Sequence, residues 1–286
     1  MKYGFIERQQ EQFAVAALCR VLRVSRSGFH AWQTRPESAR RWRDRQLLPA
    51  IARVHAAARE TYGARKTWVA LNQAGIPCGK HRVARLRREA GIEAKRKRRF
   101  RIMVEHQHTA APAPNLVQRV FTVAAPNVTW VGDTTVVRTR AGWLHVAALL
   151  DLYARRVVGW AMAARQDTAL VLTALRMAIG QRRPPAGLIH HTDQAGIYAA
   201  GDYRDLLEQH GIVPSMSGRG NCFDNAVAES FFSTLKNDLT HHRLFATREE
   251  ARAAIFDFIE VFYNRQRLHQ TLGDRTPIEV EALYLN

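Results

Sequence analysis

The feature that most narrows what this chain can become is the separation of its charge. Of its 286 residues, the first 125 carry 26 Lys and Arg against 8 Asp and Glu, whereas residues 126–286 carry 17 of each. The whole excess of +18 therefore lies in the first part. A solvated surface ordinarily interleaves both signs, so segregation on this scale points to a polyanion partner for the N-terminal region, most simply nucleic acid. A generally Arg-rich composition would raise Arg throughout and would not leave the second part neutral. A membrane surface is a poorer fit, because no sustained stripe of large apolar residues opposes the basic ones. Hydrophobic residues make up 47 %, enough for one moderate core or two smaller ones, which excludes a disordered or fibrous chain.

The longest apolar stretch, residues 143–164, is interrupted by His145, Asp151, Arg155 and Arg156, so no membrane span is expected. The opening MKYGFIERQQEQ lacks the apolar core of a secretory signal. Cys19, Cys78 and Cys222 are too scattered for a disulfide framework or a Cys-x-x-Cys knuckle. A soluble, cytoplasmic protein is the expectation.

Within the basic part, hydrophobic periodicity alternates with turn signals. Residues 14–32 (AVAALCRVLRVSRSGFHAW) read as helix, tight turn, helix. Ala17, Leu18, Val21 and Leu22 share one face, Val24 falls in the turn, and Ser25 is placed to cap a second helix carrying Arg26, Ser27 and His30. Small polar and basic residues opening a second helix suit a helix-turn-helix, although Gly28 is a poor residue inside it. Further helices are expected at 47–60 and at 64–73, the latter closed by Gly75. Another spans KHRVARLRREAG, where Val83, Leu86 and Ala90 oppose Arg82, Arg85 and Arg88. Those three arginines are candidate DNA contacts. So are Lys95, Arg96, Lys97, Arg98 and Arg99, in a run too charged to pack and suited to lie along phosphates.

Beyond a polar, Pro-containing stretch the texture changes to strands. β-rich runs at 128–138, 143–150 and 156–163 predict an antiparallel meander. A helix capped by Asp167 (167–181), a short strand (187–191), a helix (202–210), a short strand (212–215) and two long helices (224–239 and 248–264) follow. That order is one of a ribonuclease-H-like α/β domain. The expected organisation is a helix-turn-helix-like segment at 1–36, a basic helical DNA-binding domain at 40–101, a linker at 102–124, the α/β core at 125–245 and a C-terminal helix and tail at 246–286.

Three acids stand out by position. Asp133 lies inside the first strand, Asp193 ends the short strand LIHHTD, and Glu229 lies on the helix DNAVAESFFSTLK. A mixed sheet flanked by helices can bring these places to one edge, where converging carboxylates need a neutralising cation. Oxygen-only ligands suit Mg²⁺ or Mn²⁺. Two such ions, roughly 3.5–4 Å apart, would activate a water or 3′-hydroxyl and stabilise the leaving oxygen of an in-line phosphoryl displacement. The pairs His190-His191 and His241-His242 lack the spacing and cysteine partners of a zinc site.

Between Asp193 and Glu229 lie 35 residues, and Lys236 follows Glu229 by seven, two helical turns along the same face. This arrangement resembles the DDE transposases of the retroviral-integrase superfamily. The words WVGDTTVV, GWLHVAALLDLYARRVVGW, HHTDQAGIY, SGRGNCFDNAVAESFFSTLKNDL and YNRQRLHQTLGDRTPIEVE narrow it. They are similar to the second-frame protein of bacterial insertion sequences of the "insertion sequence three" family. So are LCRVLRVSRSGFHAW and ETYGARKTWVALNQAG in the upstream region. The sequence departs from full-length retroviral integrases in having no His-His-Cys-Cys domain before the core.

The resemblance implies a retroviral-integrase-type catalytic core preceded by an all-α helix-turn-helix-type region. Asp133, Asp193 and Glu229 would be the metal-binding catalytic triad and Lys236 a contact to the transposon end. Gln194 and Asn225 would support the triad or touch DNA, while Asp151 would be structural. Gly218 and its following residues suit a mobile loop. Val227, Phe231, Leu235 and Leu239 read as core, and Tyr263 to Arg267 with His269 as either a DNA contact or a helix cap. The implied partners are DNA (terminal inverted repeats and target), further copies of the chain on that DNA, and an upstream-frame protein. Because this chain begins without heptads, it is expected to be either a partial enzyme that needs that partner or a self-sufficient variant. The implied location is the bacterial nucleoid. Two rival readings are a DNA-binding regulator without catalysis and a metal-dependent nuclease without strand transfer.

Overall fold

The computed structural model describes residues 2–35, 37–95, 113–218 and 222–285. By its internal contacts the chain divides into two units, Met1–Arg53 and Val54–Asn286. In the first unit, α1 (Lys2–Gln9), α2 (Val15–Val21) and α3 (Arg26–Thr34) enclose Ile6, Cys19 and Phe29. The turn falls where expected, and Ser25 Oγ accepts the Gly28 N–H at 3.0 Å to cap α3. Gly28 has a packing reason to stand in this helix, since a Cβ there would lie 2.5 Å from the Tyr3 hydroxyl and 2.6 Å from Ser25 Oγ. The next helix, α4 (Ala39–Ala57), starts well before the expected residue 47. Its opening ARRWRDRQ carries no apolar stripe, so periodicity cannot reveal it.

In the second unit, α5 (Ala64–Gln73) and α6 (Lys80–Glu89) keep their expected bounds, and Gly75 and Gly91 follow them with φ of 74° and 66°. Val83 and Leu86 are buried as expected. So is Arg87, whose Nη1 donates to Thr67 Oγ1 at 2.9 Å and ties α6 to α5. Ala90, expected inside, is exposed at the helix end. Just before α5, the Tyr62 hydroxyl donates to the Gln266 carbonyl (3.2 Å) and accepts the Leu268 N–H (2.7 Å). Arg65 meets both carboxylate oxygens of Asp274, at 2.7 and 2.6 Å.

The core is one mixed sheet. Its strands β1 (Thr129–Thr139), β2 (Gly142–Asp151), β3 (Val157–Ala163), β4 (Ile189–Thr192) and β5 (Val213–Met216) stand in the order β3-β2-β1-β4-β5. The first three form the expected antiparallel meander, and β4 and β5 run parallel to β1. Alternate side chains go to opposite faces. Trp130, Ala147 and Leu149 pack with α7 (Thr168–Arg182), α8 (Gly196–Ala199) and α9 (Gly201–Gln209). Val131, Val137, Leu144 and Leu150 pack with α10 (Ala226–Leu235) and α11 (Arg248–Phe256). Asp167 caps α7 as expected, accepting the Leu170 N–H at 3.0 Å.

Neither long C-terminal helix is uniform. The first is a 3₁₀ turn at Cys222–Asn225, then α10, then a wider π turn from Lys236 to Thr240. The second is α11 followed by a π turn at Asp257–Tyr263. Hydrophobic spacing reports which face is inward and is nearly blind to such changes of pitch. The expected tail contains a further helix, α12 (Pro277–Leu285), whose buried Glu281 receives Arg156 at 2.7 Å and also pairs with Arg182.

The closest approach of helix to sheet is at Gly159 of β3, where a Cβ would lie 2.4 Å from the Ala174 carbonyl oxygen and 2.8 Å from the Ala178 nitrogen. Backbone atoms cannot step aside as a flexible side chain can. Gly159→Val is expected to destabilise the fold by about 1–3 kcal/mol, the usual cost of overpacking, measured by urea unfolding. An unchanged unfolding midpoint would contradict this packing.

Candidate active site

Parallel pairing of β1 with β4 covers Thr129–Val131 and Ile189–His191. Asp133 and Asp193 each lie two residues beyond the last pair, so continuing the register sets the two acids on neighbouring positions. Asp133 shares its face with Val131 and Val137, the face on which α10 packs, and α10 carries Glu229 in its first turn. The strand residue before Asp133 has to be small. A Cβ on Gly132 would fall 2.8 Å from the buried His190 ring. The Gly132 carbonyl accepts Asn225 Nδ2 at 3.1 Å, which pins the start of α10 to the residue beside Asp133.

Asp133 is pushed up to about 8, first by burial and then by the negative charge of Asp193 and, more weakly, Glu229. The Thr134 N–H, 2.7 Å from Asp133 Oδ1, and Lys236 act in the opposite sense. Burial raises Glu229. Burial also lowers Lys236, against the pull of Asp133. Asp193 Oδ1 accepts the Ala195 N–H at 3.0 Å. The three acids and the lysine thus share one electrostatic neighbourhood. Among the described residues, no three His, Cys, Asp or Glu side chains form a ready-made metal-holding group. The donor chemistry nevertheless fits a hard divalent cation, because every acid offers oxygen and the charges of Asp193 and Glu229 oppose the ionisation of Asp133. Asn225 Oδ1, buried, has no hydrogen-bond partner among the described residues.

Tyr198 belongs to this neighbourhood although no spacing rule pointed to it. It is buried, and its ionisation is opposed first by burial and then by Asp193 and Asp133. Gln194 stands half-buried beside Asp193. The two adjacent histidines hold hydroxyl partners. His190 Nε2 lies 2.7 Å from the Tyr203 hydroxyl, and His191 lies 2.8 Å from Ser215 Oγ and 3.2 Å from Ser217 Oγ. Asp151 is buried and accepts the Asn127 and Tyr153 N–H groups at 2.6 and 2.8 Å.

The candidate DNA contacts are unevenly disposed. Arg88 is exposed, while Arg82 and Arg85 are half-buried and Arg85 pairs with Glu89 at 3.0 Å. Lys95 donates its N–H to the Glu60 carbonyl at 2.8 Å, with Nζ 3.9 Å from the Glu60 carboxylate. Arg96, Lys97, Arg98 and Arg99 lie outside the described residues, as do Arg219, Gly220 and Asn221 of the expected loop. Much of the C-terminal signature is internal to the fold. Buried Asn264 accepts the Val157 N–H at 3.0 Å and donates to its carbonyl at 3.1 Å. Arg267 pairs with Asp238 at 2.9 Å, and burial holds the His269 imidazole down at about 3.

A carboxyl raised on folding contributes stability that is present below its unfolded value, near 4, and is lost as pH rises through about 8. Asp133→Asn is therefore expected to melt above the parent at pH 8, with the difference vanishing toward pH 4. Added Mg²⁺ at pH 8 should recover stability in the parent and not in the variant. Parallel pH profiles for the two proteins would remove the charge conflict from Asp133.

Comparison with known proteins places these observations in a lineage. Residues 123–222 and 210–277 match models of an integrase core domain, and residues 41–100 match an HTH-like domain. An insertion element IS600 uncharacterized 31 kDa protein of Shigella sonnei is 44 % identical over 267 residues, covering 93 % of this chain and 98 % of its own. Transposase InsF for insertion sequence IS3A of Escherichia coli (strain K12) is 39 % identical over 287 residues, covering 98 % of each. Among solved structures, the HTLV-2 integrase catalytic core domain in complex with magnesium is similar at 16 % identity and a TM-score of 0.44, over 55 % of this chain and 97 % of that one. Near full-length identity to insertion-sequence proteins, together with the integrase-core and HTH-like matches, shows that this chain belongs to the integrase-core transposases of the IS3 family.

Proposed function

We propose that the chain is a DNA transposase that binds the terminal inverted repeats of its element and cuts and rejoins DNA at Asp133, Asp193 and Glu229. The observation that carries this reading is the placement of the three acids, with Asp133 and Asp193 just past the last parallel pair of β1 and β4 and Glu229 on the helix that packs over them. The three acids would hold one divalent cation, Mg²⁺ or Mn²⁺, and two in the assembled complex. When bound, the metal supplies activation of the attacking hydroxyl and neutralises charge at the leaving oxygen. The reaction is a direct phosphoryl exchange, in which a 3′-oxygen forms a new bond to phosphorus as the old phosphorus–oxygen bond breaks. No covalent link to the protein is needed.

The chain's own groups divide the remaining work. Lys236, on the same helix line as Glu229, would meet a DNA phosphate close to the acids. Asn225 would keep α10 in register with β1 through its bond to Gly132, and Gln194 would contact DNA beside Asp193. Arg82, Arg85, Arg88, Lys95 and the run Arg96–Arg99 would hold the duplex by its phosphates, a salt-dependent and largely sequence-independent contribution. The domain organisation is proposed as helix-turn-helix-like segment, basic helical domain, linker, catalytic core and C-terminal segment. Further copies of the chain, and an upstream-frame protein or fusion, would complete the working assembly on DNA.

The test is excision in cells from an element with its native flanks, amplifying junctions between its two ends. The parent is expected to give junctions and Asp193→Asn to fall to background. Junctions from both would mean that another enzyme acts on these ends. No junctions from either, even with an upstream-frame partner supplied, would favour a regulator. Purified protein separates the remaining rival, because a simple nuclease yields nicked DNA without joined products.

A further inference from the structure

The groove that opens at Asp133 and Glu229 continues away from them. It is lined along β1 by every residue from Asp133 to Arg138 and ends near Trp143, with Lys236 on the opposite wall. Lining by consecutive residues, and so by both faces of a strand, is what a groove along an open strand edge produces. The pairing agrees. Between Val131, the last residue joined to β4, and Thr139, which bridges to Phe245, the edge of β1 away from β2 has no strand partner among the described residues.

Charge of both signs lines this groove. Asp133 and Glu229 are its only carboxylates among the described residues, Lys236 lies within reach of the Asp133 charge, and Arg138, five residues on along β1, and Arg243 add further positive charge. Arg243 is partly neutralised by Glu250 at 2.6 Å. Two large apolar members stand out to solvent, Leu244 and Trp143, and only Trp143 is aromatic. Its indole is 53 % exposed, it stands directly across the strand pair from Arg138, and that arginine is exposed too. An exposed indole beside a cation, in a polar groove, is the composition of a stacking platform for a nucleotide base. Bases inside a duplex offer no free face, so the matching ligand is unpaired DNA.

We propose that this groove seats the unpaired nucleotides adjoining the reacting phosphodiester, with a base stacked on Trp143 and phosphates met by Arg138 and Lys236. The proposal rests on the reading of Asp133, Asp193 and Glu229 as the reaction centre, and it adds a ligand class and a recognition residue that this reading does not contain.

The test uses the full chain without divalent metal and a single-stranded thymidine dodecamer carrying one 2-aminopurine, whose fluorescence falls on stacking. The parent should quench the probe. Trp143→Ala should abolish the quench and weaken binding of the single strand about tenfold, the loss of one stacked base, with duplex binding and melting temperature unchanged. Trp143→Phe should retain most of both. Parent-like affinity and quenching by Trp143→Ala would overturn the groove assignment and leave the reaction centre standing. Junction formation by Asp193→Asn would instead overturn the reaction centre, and with it the claim that these nucleotides adjoin the reacting bond.

Discussion

Negative charge converging at the end of a parallel strand pair is the constraint around which the core is arranged. β1 and β4 must run side by side for Asp133 and Asp193 to become neighbours, and α10 must lie on that face of the sheet for Glu229 to join them. Each requirement has a local device. Gly132 admits the His190 ring against the strand, and Asn225 bonds the Gly132 carbonyl, so helix and strand are held at the residue adjoining the acid. Burial and the charges of Asp193 and Glu229 both favour the uncharged form of Asp133, so three acids in one partly buried place call for a neutralising proton or cation.

Comparison with the other buried acids sharpens the point. Asp151 accepts two backbone N–H groups and has Arg182 nearby at 3.9 Å. Asp224, one residue before Asn225, accepts from Asn115 Nδ2, Arg119 Nε and the Gly218 N–H at 2.9, 3.0 and 3.1 Å. These donors hold Asp224 below the usual carboxylate range and oppose the rise that burial imposes on Asp151, and both carboxylates tie separate segments together. Asp133 has one backbone donor and two acidic neighbours. Burial is the first cause at Asp133 and the charge of Asp193 adds to it, where Asp151 has Arg182 and Asp224 has Arg119 beside it.

The basic region is not a loose appendage of charge. Arg87 is consumed internally by Thr67, Arg65 by Asp274, and Tyr62 closes against the chain at Gln266 and Leu268. The last two join the start of the α5–α6 pair to the C-terminal segment, and within the signature the Gln266 carbonyl and the buried Tyr263 and Asn264 belong to the fold while Arg265 is exposed. A polar C-terminal run of that kind looks like a binding surface in one dimension, because sequence does not disclose which partner lies across from it.

The sequence by itself determined a good deal. Charge segregation separated the basic helical part from the neutral core, strand periodicity laid out β1 to β3 nearly to the residue, and cap chemistry placed Ser25 and Asp167 at helix starts. The spacing of Asp133, Asp193, Glu229 and Lys236 carried the resemblance to the family, and Asp133 was noticed because a charge inside an apolar run is costly. What depends on distant pairing was not legible. Tyr198 enters the acidic neighbourhood only because α8 folds back under the sheet, and Arg87 is buried because Thr67 faces it. α12 and the early turns of α4 are held by contacts that their own patterns do not advertise. The open edge of β1 exists because β4 is four residues long while β1 has eleven. Local pattern reports which way a side chain faces along its own element. Only the tertiary structure decides which other element, or which vacant edge, it finds there.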